Sequence, residues 1–561
     1  MNRARGPSAR SSVYSPGPAS NISSAMTDPD HDALLRAIVR HADDDTPRLV
    51  DADWLEENGR GEEGEFVRVQ CRLASAEPDD PEYPALTDRE EELRTWLGTH
   101  APGPRPTVPG GLSVEGGNRW WTYTYRGFPR FLEFDGYERY GAKAMRALAS
   151  AVERAFDVLP TRWLVVRYIT LAQLRALLKY PVLAGLSHLT VQLSATEDGD
   201  GAARLLAGCR HLRHLRGLSL AFGFGEAGCA ALAAAPWGGL EWFSPTCHEI
   251  TPAGVRALSG AEWFRNAREL RLNHGLPDGS FDALARLPAF PRLHSLDLTQ
   301  TAFSEPAWQT FARSRAFPAL GRLQLSYSEL SGGQFDALAA CTSGLRVLGL
   351  RSCGLPPGTG AALAAAPWAA ALRSLDLSNN GLPAADVKAI ASCRAFGELR
   401  HLRLSNNTLA PTVLSALTAN PALRGLRELH LDGYTATGLT PAHFERFLTK
   451  LDMPDLRYLE LSGRPLGARA TRRFTDPKFA SLTRLHLNDC KLSDAAVKAL
   501  VTAPALRNLL TLGLDNNKLT TGPEPLADRA VLPKLAACGL SSNAISAATK
   551  RKLRRRPDVR L

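Results

Sequence analysis

The sequence contains no long apolar run and no regular pattern of cysteines. Its 561 residues include no stretch of about 18 apolar residues, which excludes a membrane-spanning helix. Nine cysteines are scattered along the chain without a C-x-x-C pair, and their odd number argues against a disulfide framework or a zinc site. The cysteines therefore favour a reducing cytoplasm. Residues 1–27 carry arginine, serine and proline without an apolar segment, so they are not a secretory signal.

The common catalytic signatures are also missing. No G-x-S-x-G, H-E-x-x-H or G-x-x-x-x-G-K-[ST] motif occurs, so we predict a protein that is not an enzyme and holds no cofactor and no metal. The composition is 44% hydrophobic and 22% charged, which excludes disorder throughout. A net charge of +10 allows attraction to nucleic acid without requiring it, because the basic residues do not form one block.

An internal repeat dominates the chain. Ten segments have the form L-x-x-L-x-L, including LRSLDL at 372–377, LRHLRL at 399–404 and LRELHL at 426–431. With four weaker copies there are fourteen starts between residues 186 and 535, at a mean period of about 27 residues. Ala-rich amphipathic segments between the copies, such as 383–393, predict one helix in each repeat.

Each position of the repeat has a physical role. Alternate side chains of a strand point to opposite faces, so the fourth and sixth positions are expected inside and the fifth outside. Three residues after the sixth position comes a small polar residue that can bond the buried backbone of its own turn and of the neighbouring turn. These predicted ladder residues are Asn380, Asn407, Asn517, Asn543, Cys353 and Cys490.

The pattern L-x-x-L-x-L-x-x-N/C resembles the leucine-rich repeat family over residues 186–545, and the long repeats are similar to the ribonuclease-inhibitor-like class. The resemblance implies an α/β solenoid: a horseshoe with parallel strands on the concave side and helices on the convex side. A small all-α domain is expected in front of it.

The stretch DDDTPRLVDADWLEENG followed by GEFVRVQ resembles the repeat-companion domain found in front of leucine-rich repeats in bacterial, especially planctomycete, proteins. That resemblance implies organisation rather than chemistry. The predicted segments are a disordered tail or mis-assigned start at 1–27 with Met26 as initiator, the helical companion domain at 28–75, a linker with one helix at 76–111, degenerate N-terminal cap repeats at 112–185, about fourteen repeats at 186–545 and a C-terminal cap at 546–561.

The concave side of the repeats is the predicted binding surface, because curved repeat surfaces commonly bind proteins. Outward positions carry mixed charge together with tyrosine and arginine, which are typical interface anchors. The predicted partner-binding residues are Asp376, Arg403, His430, Glu460, His486, Tyr458, Arg484 and Arg351. We therefore predict a cytoplasmic, non-catalytic scaffold for a protein partner, with no role at a membrane.

Two alternatives stay open at this point. The basic segment KRKLRRR at 550–556 could bind nucleic acid or another anionic surface, although a charged capping helix has the same composition. Gly223, Gly225 and Gly228 form a G-x-G-x-x-G between a predicted strand and a predicted helix, the context of a dinucleotide site. The competing interpretation is an ordinary repeat turn, because Gly223 falls at the ladder position.

Overall fold

The structure is a computed structural model. It describes residues 29–76, 82–100, 113–114, 124–126, 128–135, 142–195, 197–273, 275–341, 344–433, 438–556 and 558–561. The tail predicted for 1–27, its expected initiator Met26 and the linker segments 77–81 and 101–111 lie outside the described residues.

Twenty α-helices lie in the described residues. They are α1 Pro29–Arg40, α2 Thr46–Glu57, α3 Gly61–Ser75, α4 Tyr83–His100, α5 Ala142–Val158, α6 Leu171–Leu177, α7 Gly199–Ala207, α8 Glu226–Ala233, α9 Pro252–Ser259, α10 Glu262–Arg265, α11 Asp278–Ala285, α12 Glu305–Arg313, α13 Gly332–Ala339, α14 Thr359–Ala365, α15 Ala384–Ser392, α16 Pro411–Ala419, α17 Pro441–Lys450, α18 Gly467–Arg472, α19 Asp494–Val501 and α20 Ala547–Leu553.

The same residues contain twenty strands. They are β1 Ser113–Val114, β2 Thr124–Tyr125, β3 Phe128–Pro129, β4 Leu132–Asp135, β5 Trp163–Ile169, β6 His188–Leu193, β7 Gly217–Ala221, β8 Trp242–Pro245, β9 Glu269–Arg271, β10 Ser295–Asp297, β11 Arg322–Gln324, β12 Val347–Gly349, β13 Ser374–Asp376, β14 His401–Arg403, β15 Glu428–His430, β16 Tyr458–Glu460, β17 Arg484–His486, β18 Thr511–Gly513, β19 Ala537–Gly539 and β20 Val559–Arg560.

One sheet runs through the repeats. From β4 to β20 every strand pairs in parallel with the next strand along the chain, and β1 adds an antiparallel edge to β4. The register places equivalent repeat positions side by side: Leu375 pairs with Leu348 on one side and Leu402 on the other. Helices of successive repeats, such as α14, α15 and α16, pack on one another. The predicted α/β solenoid of the leucine-rich-repeat type is confirmed.

The core of the solenoid is continuous. Fourth-position and sixth-position leucines such as Leu375 and Leu377 are fully buried, and one apolar cluster extends from Leu132 to Val559. A single repeat could not bury this face alone, whereas stacked neighbours bury it together. The length of the chain is therefore accommodated without several independent cores.

The turn after each strand has a recurring backbone conformation. The residue just before the ladder position has a positive φ, with 61° at Asn379, 53° at Asn406 and 56° at Asn516. Asparagine tolerates this left-handed region better than most residues. Tyr327 occupies the same position with φ of 61°, so that turn carries strain which the asparagine turns largely avoid.

Four helices precede the sheet. The side chains of Phe66, Val69, Leu86, Leu93 and Leu97 join α3 to α4 in one small apolar cluster. Helix α4 lies in the segment that was predicted to be a linker. In the structure this helix packs on α3 and, through contacts described below, on the repeats. The sequence predicts a helix in this segment but does not show which element the helix contacts.

The C-terminal end is closed by α20 and β20, which pairs with β19. The Arg556 side chain is only 3% exposed and forms an ion pair with Asp558 at 2.8 Å. Its guanidinium also donates to the carbonyl oxygens of Leu526, Asp528, Val531 and Leu532. Arg556, one arginine of the basic tail, therefore bonds the backbone between Leu526 and Leu532 at the end of the solenoid.

Candidate partner-binding surface

The concave face is defined here as the sheet surface that carries the third, fifth and seventh repeat positions of β12 to β17. Parallel pairing places Asp376, Arg403, His430, Glu460 and His486 on successive strands at the same register. Five of the eight predicted binding residues thus form one row across the sheet. Tyr458 and Arg484 are paired in the adjacent third-position row.

The first polar group of the row is centred on Glu428. This carboxylate is 5% exposed, accepts from Arg403 Nε at 2.8 Å and lies 2.5 Å from Nε2 of His430. Burial raises the pKa of Glu428, but the His430 imidazole and the Arg403 guanidinium outweigh burial and hold the pKa well below its usual range. The buried carboxylate therefore holds the side chains of Arg403 and His430 in place.

The second group is centred on Glu460. Its Oε2 lies 2.7 Å from Nδ1 of His486 and accepts from the Tyr458 hydroxyl at 3.0 Å. Burial raises the pKa of Glu460, yet the contacts with His486 and Ser462 lower it overall. Burial and the charge of Glu460 raise the pKa of Tyr458. These side chains satisfy one another, so the group presents a rigid patch.

The predicted binding residues outside these two groups differ in how far their side chains are exposed or engaged within the chain. Arg351 follows β12 and is exposed, whereas Asp376 accepts a hydrogen bond from the backbone N–H of Ser378 at 2.9 Å. The Arg484 guanidinium stacks over the Tyr458 ring at 4.5 Å and forms an ion pair with Glu91 of α4. Arg484 is thus engaged within the chain itself.

Helix α4 covers the edge of the concave face where β14 to β17 begin. Asp88 on this helix is 8% exposed, and its Oδ1 lies 3.1 Å from Nε2 of His401. The other oxygen of Asp88 lies 3.5 Å from Nη1 of Arg427. One buried carboxylate of α4 therefore contacts a histidine and an arginine from two successive repeats.

Glu92 repeats this contact one helical turn further along α4. Its side chain is 4% exposed, and Oε1 lies 3.1 Å from Nη1 of Arg457 and accepts from the Thr483 hydroxyl at 3.3 Å. Oε2 lies 3.0 Å from Nη1 of Arg89 on the same helix. The α4 contact thus spans four repeats with opposite charges on the two sides.

The contact between α4 and the repeats is not among the features predicted from the sequence. The available signal was the spacing of Asp88, Glu91 and Glu92, which places three carboxylates on one face of a helix. The leucines Leu86, Leu93 and Leu97 occupy another face. That the acidic face meets the second and third repeat positions depends on the path of the chain, which no local pattern specifies.

The predicted ladder residues bond the turn backbone. The Nδ2 of Asn407 donates to the carbonyl of Leu377 in the preceding repeat at 2.8 Å, while its Oδ1 accepts from the N–H of Leu382 at 2.9 Å. Asn517 accepts likewise from the N–H of Cys490 at 2.9 Å. Asn380 and Asn543 make equivalent bonds between repeats. The Sγ atoms of Cys353 and Cys490 contact carbonyls of the preceding repeats at 3.1 and 3.3 Å.

One repeat uses an arginine at the ladder position. Arg464 is 2% exposed and donates to the carbonyls of Leu431 at 2.6 Å and Asp432 at 3.0 Å. Burial lowers the pKa of Arg464 to about 10. Arg464 is not among the predicted ladder residues because a long cation does not resemble a small polar residue, although Arg464 bonds equivalent carbonyls.

The glycine motif at 223–228 is a repeat turn. Asp200 Oδ1 accepts from the N–H of Gly225 at 2.9 Å and of Gly228 at 2.8 Å. A Cβ at Gly223 would lie 2.7 Å from the Glu249 carboxylate. The N–H groups that would hold a pyrophosphate already bond a carboxylate, and a second carboxylate lies beside them. These contacts favour the repeat-turn interpretation of this loop over the nucleotide alternative.

The basic tail is divided by the fold. Arg556 is buried in the closing turn described above, and Lys552 forms an ion pair with Glu524. Lys550, Arg551, Arg554 and Arg555 are exposed. Among the described residues, no group of three or more His, Cys, Asp or Glu is placed to hold a metal ion. No helix in this part of the chain is long and apolar enough to cross a membrane.

No protein-family model matches the chain. No curated protein matches it either. Among solved structures, the chain is similar to one described as the crystal structure of the Rad7 and Elc1 complex in yeast, with a TM-score of 0.34 and 16% sequence identity over 75% of this chain and 88% of that chain. A similarity this low carries no argument about function.

The class of the protein follows from its own strand register. Seventeen parallel strands with a regular repeat, buried leucines and packed helices define a leucine-rich-repeat solenoid.

Proposed function

We propose that the protein is a non-catalytic scaffold that binds a protein partner on its concave face. The observation that carries the proposal is the row of charged and imidazole side chains held at one register by five consecutive strands. A preformed row loses little side-chain entropy on binding, and mixed charge favours one orientation of the partner. The same face already accepts a charged helix of its own chain.

The exposed charges indicate the chemistry of the partner. Glu428 and Glu460 are buried and satisfied by neighbouring side chains, whereas the Arg403 side chain is 46% exposed and Arg351 is exposed. We therefore expect the partner to present acidic residues to Arg351, just after β12, and to Arg403, at the end of β14. The edge covered by α4 is not part of the proposed surface.

The N-terminal helices are proposed to be the repeat-companion domain of a bacterial, cytoplasmic protein. Support comes from the sequence resemblance and from the helices themselves, since α2 and α3 cover the matching stretch. The proposed organisation retains the predicted boundaries at 28–75, 112–185, 186–545 and 546–561.

The test uses two charge variants and a matched control. Replacing His430 by glutamate would place a carboxylate against Glu428, so Arg351→Glu and Arg403→Gln are better probes. Lys388→Glu, on the exposed face of α15 in the same part of the solenoid, is the control. A partner is first recovered by affinity co-purification from the native host, and its affinity for each purified protein is then measured by calorimetry.

We expect each concave-face variant to bind the partner with an affinity lower by about tenfold or more, and the control to bind with unchanged affinity. Equal affinity for all four proteins would reject the proposed surface. Recovery of nucleic acid that is lost at high salt and is unaffected by the concave-face variants would favour the basic C-terminal cap instead.

A further inference from the structure

A cavity of about 150 Å³ lies between the start of α2 and the first strands of the solenoid. It is distinct from the concave-face row. Five of the residues that line it are arginines, of which two lie close together in the chain and three come from other segments: Arg126 and Arg130, and Arg48, Arg162 and Arg216.

Arginines outnumber carboxylates among the described residues that line this cavity. Asp43 is the one acidic residue among the described residues that line it. Arg126 reaches a further carboxylate, since its Nη1 lies 3.3 Å from Oδ1 of Asp45. An excess of guanidinium groups around a small cavity is the usual arrangement for binding a multiply charged anion.

Arg48 is held in place for such a role. It is 2% exposed, and its two terminal nitrogens donate to the carbonyls of Asp44 and Ala42, each at 2.7 Å. Its Nε is buried without a hydrogen-bond partner. Burial and then the charge of Arg126 lower the pKa of Arg48. A buried donor that lacks a partner beside a like charge is unfavourable unless an anion completes the site.

An aromatic wall adjoins the arginines. The rings of Trp163 and His188 are stacked with centroids 5.1 Å apart, and the guanidinium of Arg130 lies 4.9 Å from the Trp163 ring centroid. Burial and the charges of Arg130 and Arg216 lower the pKa of His188 to about 4, so this ring is neutral at pH 7. The wall therefore offers apolar ring surface next to the cationic groups.

We propose that this cavity binds the phosphate monoester group of a small molecule. The phosphate contacts the arginines and the organic part lies against Trp163. The terminal nitrogens of Arg48 and Arg162 bond backbone carbonyls, so these two arginines contribute mainly their charge. A cavity lined by several guanidinium groups matches a phosphate dianion better than a single carboxylate. The cavity is smaller than the roughly 300–1,000 Å³ of pockets for drug-sized ligands, so it suits a small phosphorylated compound and not a dinucleotide.

The experiment is calorimetric titration of the full chain with phenyl phosphate and with inorganic phosphate at constant ionic strength. Arg216→Gln removes an exposed arginine from the rim of the cavity. Arg213→Gln is the control, because that arginine is exposed nearby, lies outside the cavity and donates to the carbonyl of Arg210. A phosphoserine peptide is titrated in parallel.

We expect phenyl phosphate to bind more tightly than inorganic phosphate. Arg216→Gln should lower the affinity for both ligands by about tenfold or more, whereas the control should leave both affinities unchanged. Each ligand should also raise the melting temperature beyond the effect of sodium chloride. Absence of binding, or equal weakening in the two variants, would overturn the proposal. Tighter binding of the phosphopeptide than of phenyl phosphate would overturn the small-molecule assignment.

Discussion

Replacing Glu92 by glutamine tests whether α4 is held on the repeats by its acidic face. The substitution keeps the shape of the side chain and removes the charge that meets Arg457 and Thr483. Breaking a fully buried ion pair costs about 3–5 kcal/mol. The Arg457 side chain is 45% exposed and can turn to water, so we expect a smaller cost of about 1–3 kcal/mol.

The lost contact holds only one helix on the repeats. The destabilisation should therefore be confined to α4. A destabilisation of 1–3 kcal/mol corresponds to about 5- to 150-fold faster opening of α4, which hydrogen exchange measured by mass spectrometry would report in the peptides that cover this helix. Peptides from β10 to β13 should exchange as in the unmodified protein. The control is Glu57→Gln, an exposed carboxylate on α2.

Unchanged exchange in α4 would refute the reasoning, and so would equal acceleration in the control. Faster exchange throughout the solenoid would also contradict it, since the contact would then support the whole fold instead of one helix.

Three further predictions concern the repeats. Asn407→Ala should lower the free energy of unfolding in urea by about 2–4 kcal/mol, because it leaves buried backbone groups of two repeats unpaired; a loss under about 0.5 kcal/mol would contradict the ladder role. Tyr327→Asn should raise the free energy of unfolding by about 1 kcal/mol, because asparagine tolerates the positive φ at this position. A decrease in the free energy of unfolding would show that the contacts of the tyrosine contribute more than the strain costs. Partial burial raises the pKa of Asp494, but hydrogen bonds from the residues around Thr520 lower it to about 2. This depressed pKa stabilises the fold above pH 4, and the contribution is lost as the pH falls towards 2. The stability difference between the unmodified protein and Asp494→Asn should therefore shrink over that range; a constant difference would exclude the carboxylate as its source.

The solenoid could be predicted from the sequence because its determinants are local and repeated. Each L-x-x-L-x-L segment sets the strand and its inward face, and a period of about 27 residues leaves room for one helix. The same periodicity predicts that equivalent positions such as Asp376 and Arg403 lie side by side, as they do. Residues 546–561 were expected to form a helix and a strand, and α20 and β20 lie in this segment.

Other features depend on which distant segments meet. Arg464 replaces a small ladder residue, and the sequence gives no sign that its long side chain turns inward to two carbonyls. The sequence also does not predict which concave-face side chains are exposed to a partner. Arg484 forms an ion pair with Glu91, whereas the side chain of Arg403 is half exposed.

The sequence by itself therefore determined the repeat architecture, its buried leucines and the surface row, because a periodic pattern repeats the same short-range geometry. Only the tertiary structure decided that α4 lies on the concave face, that Asp200 fills the glycine loop and that five arginines surround one cavity. These contacts join residues far apart in the chain. They depend on the long-range path of the backbone and on the electrostatic pairing of side chains, neither of which a local pattern encodes.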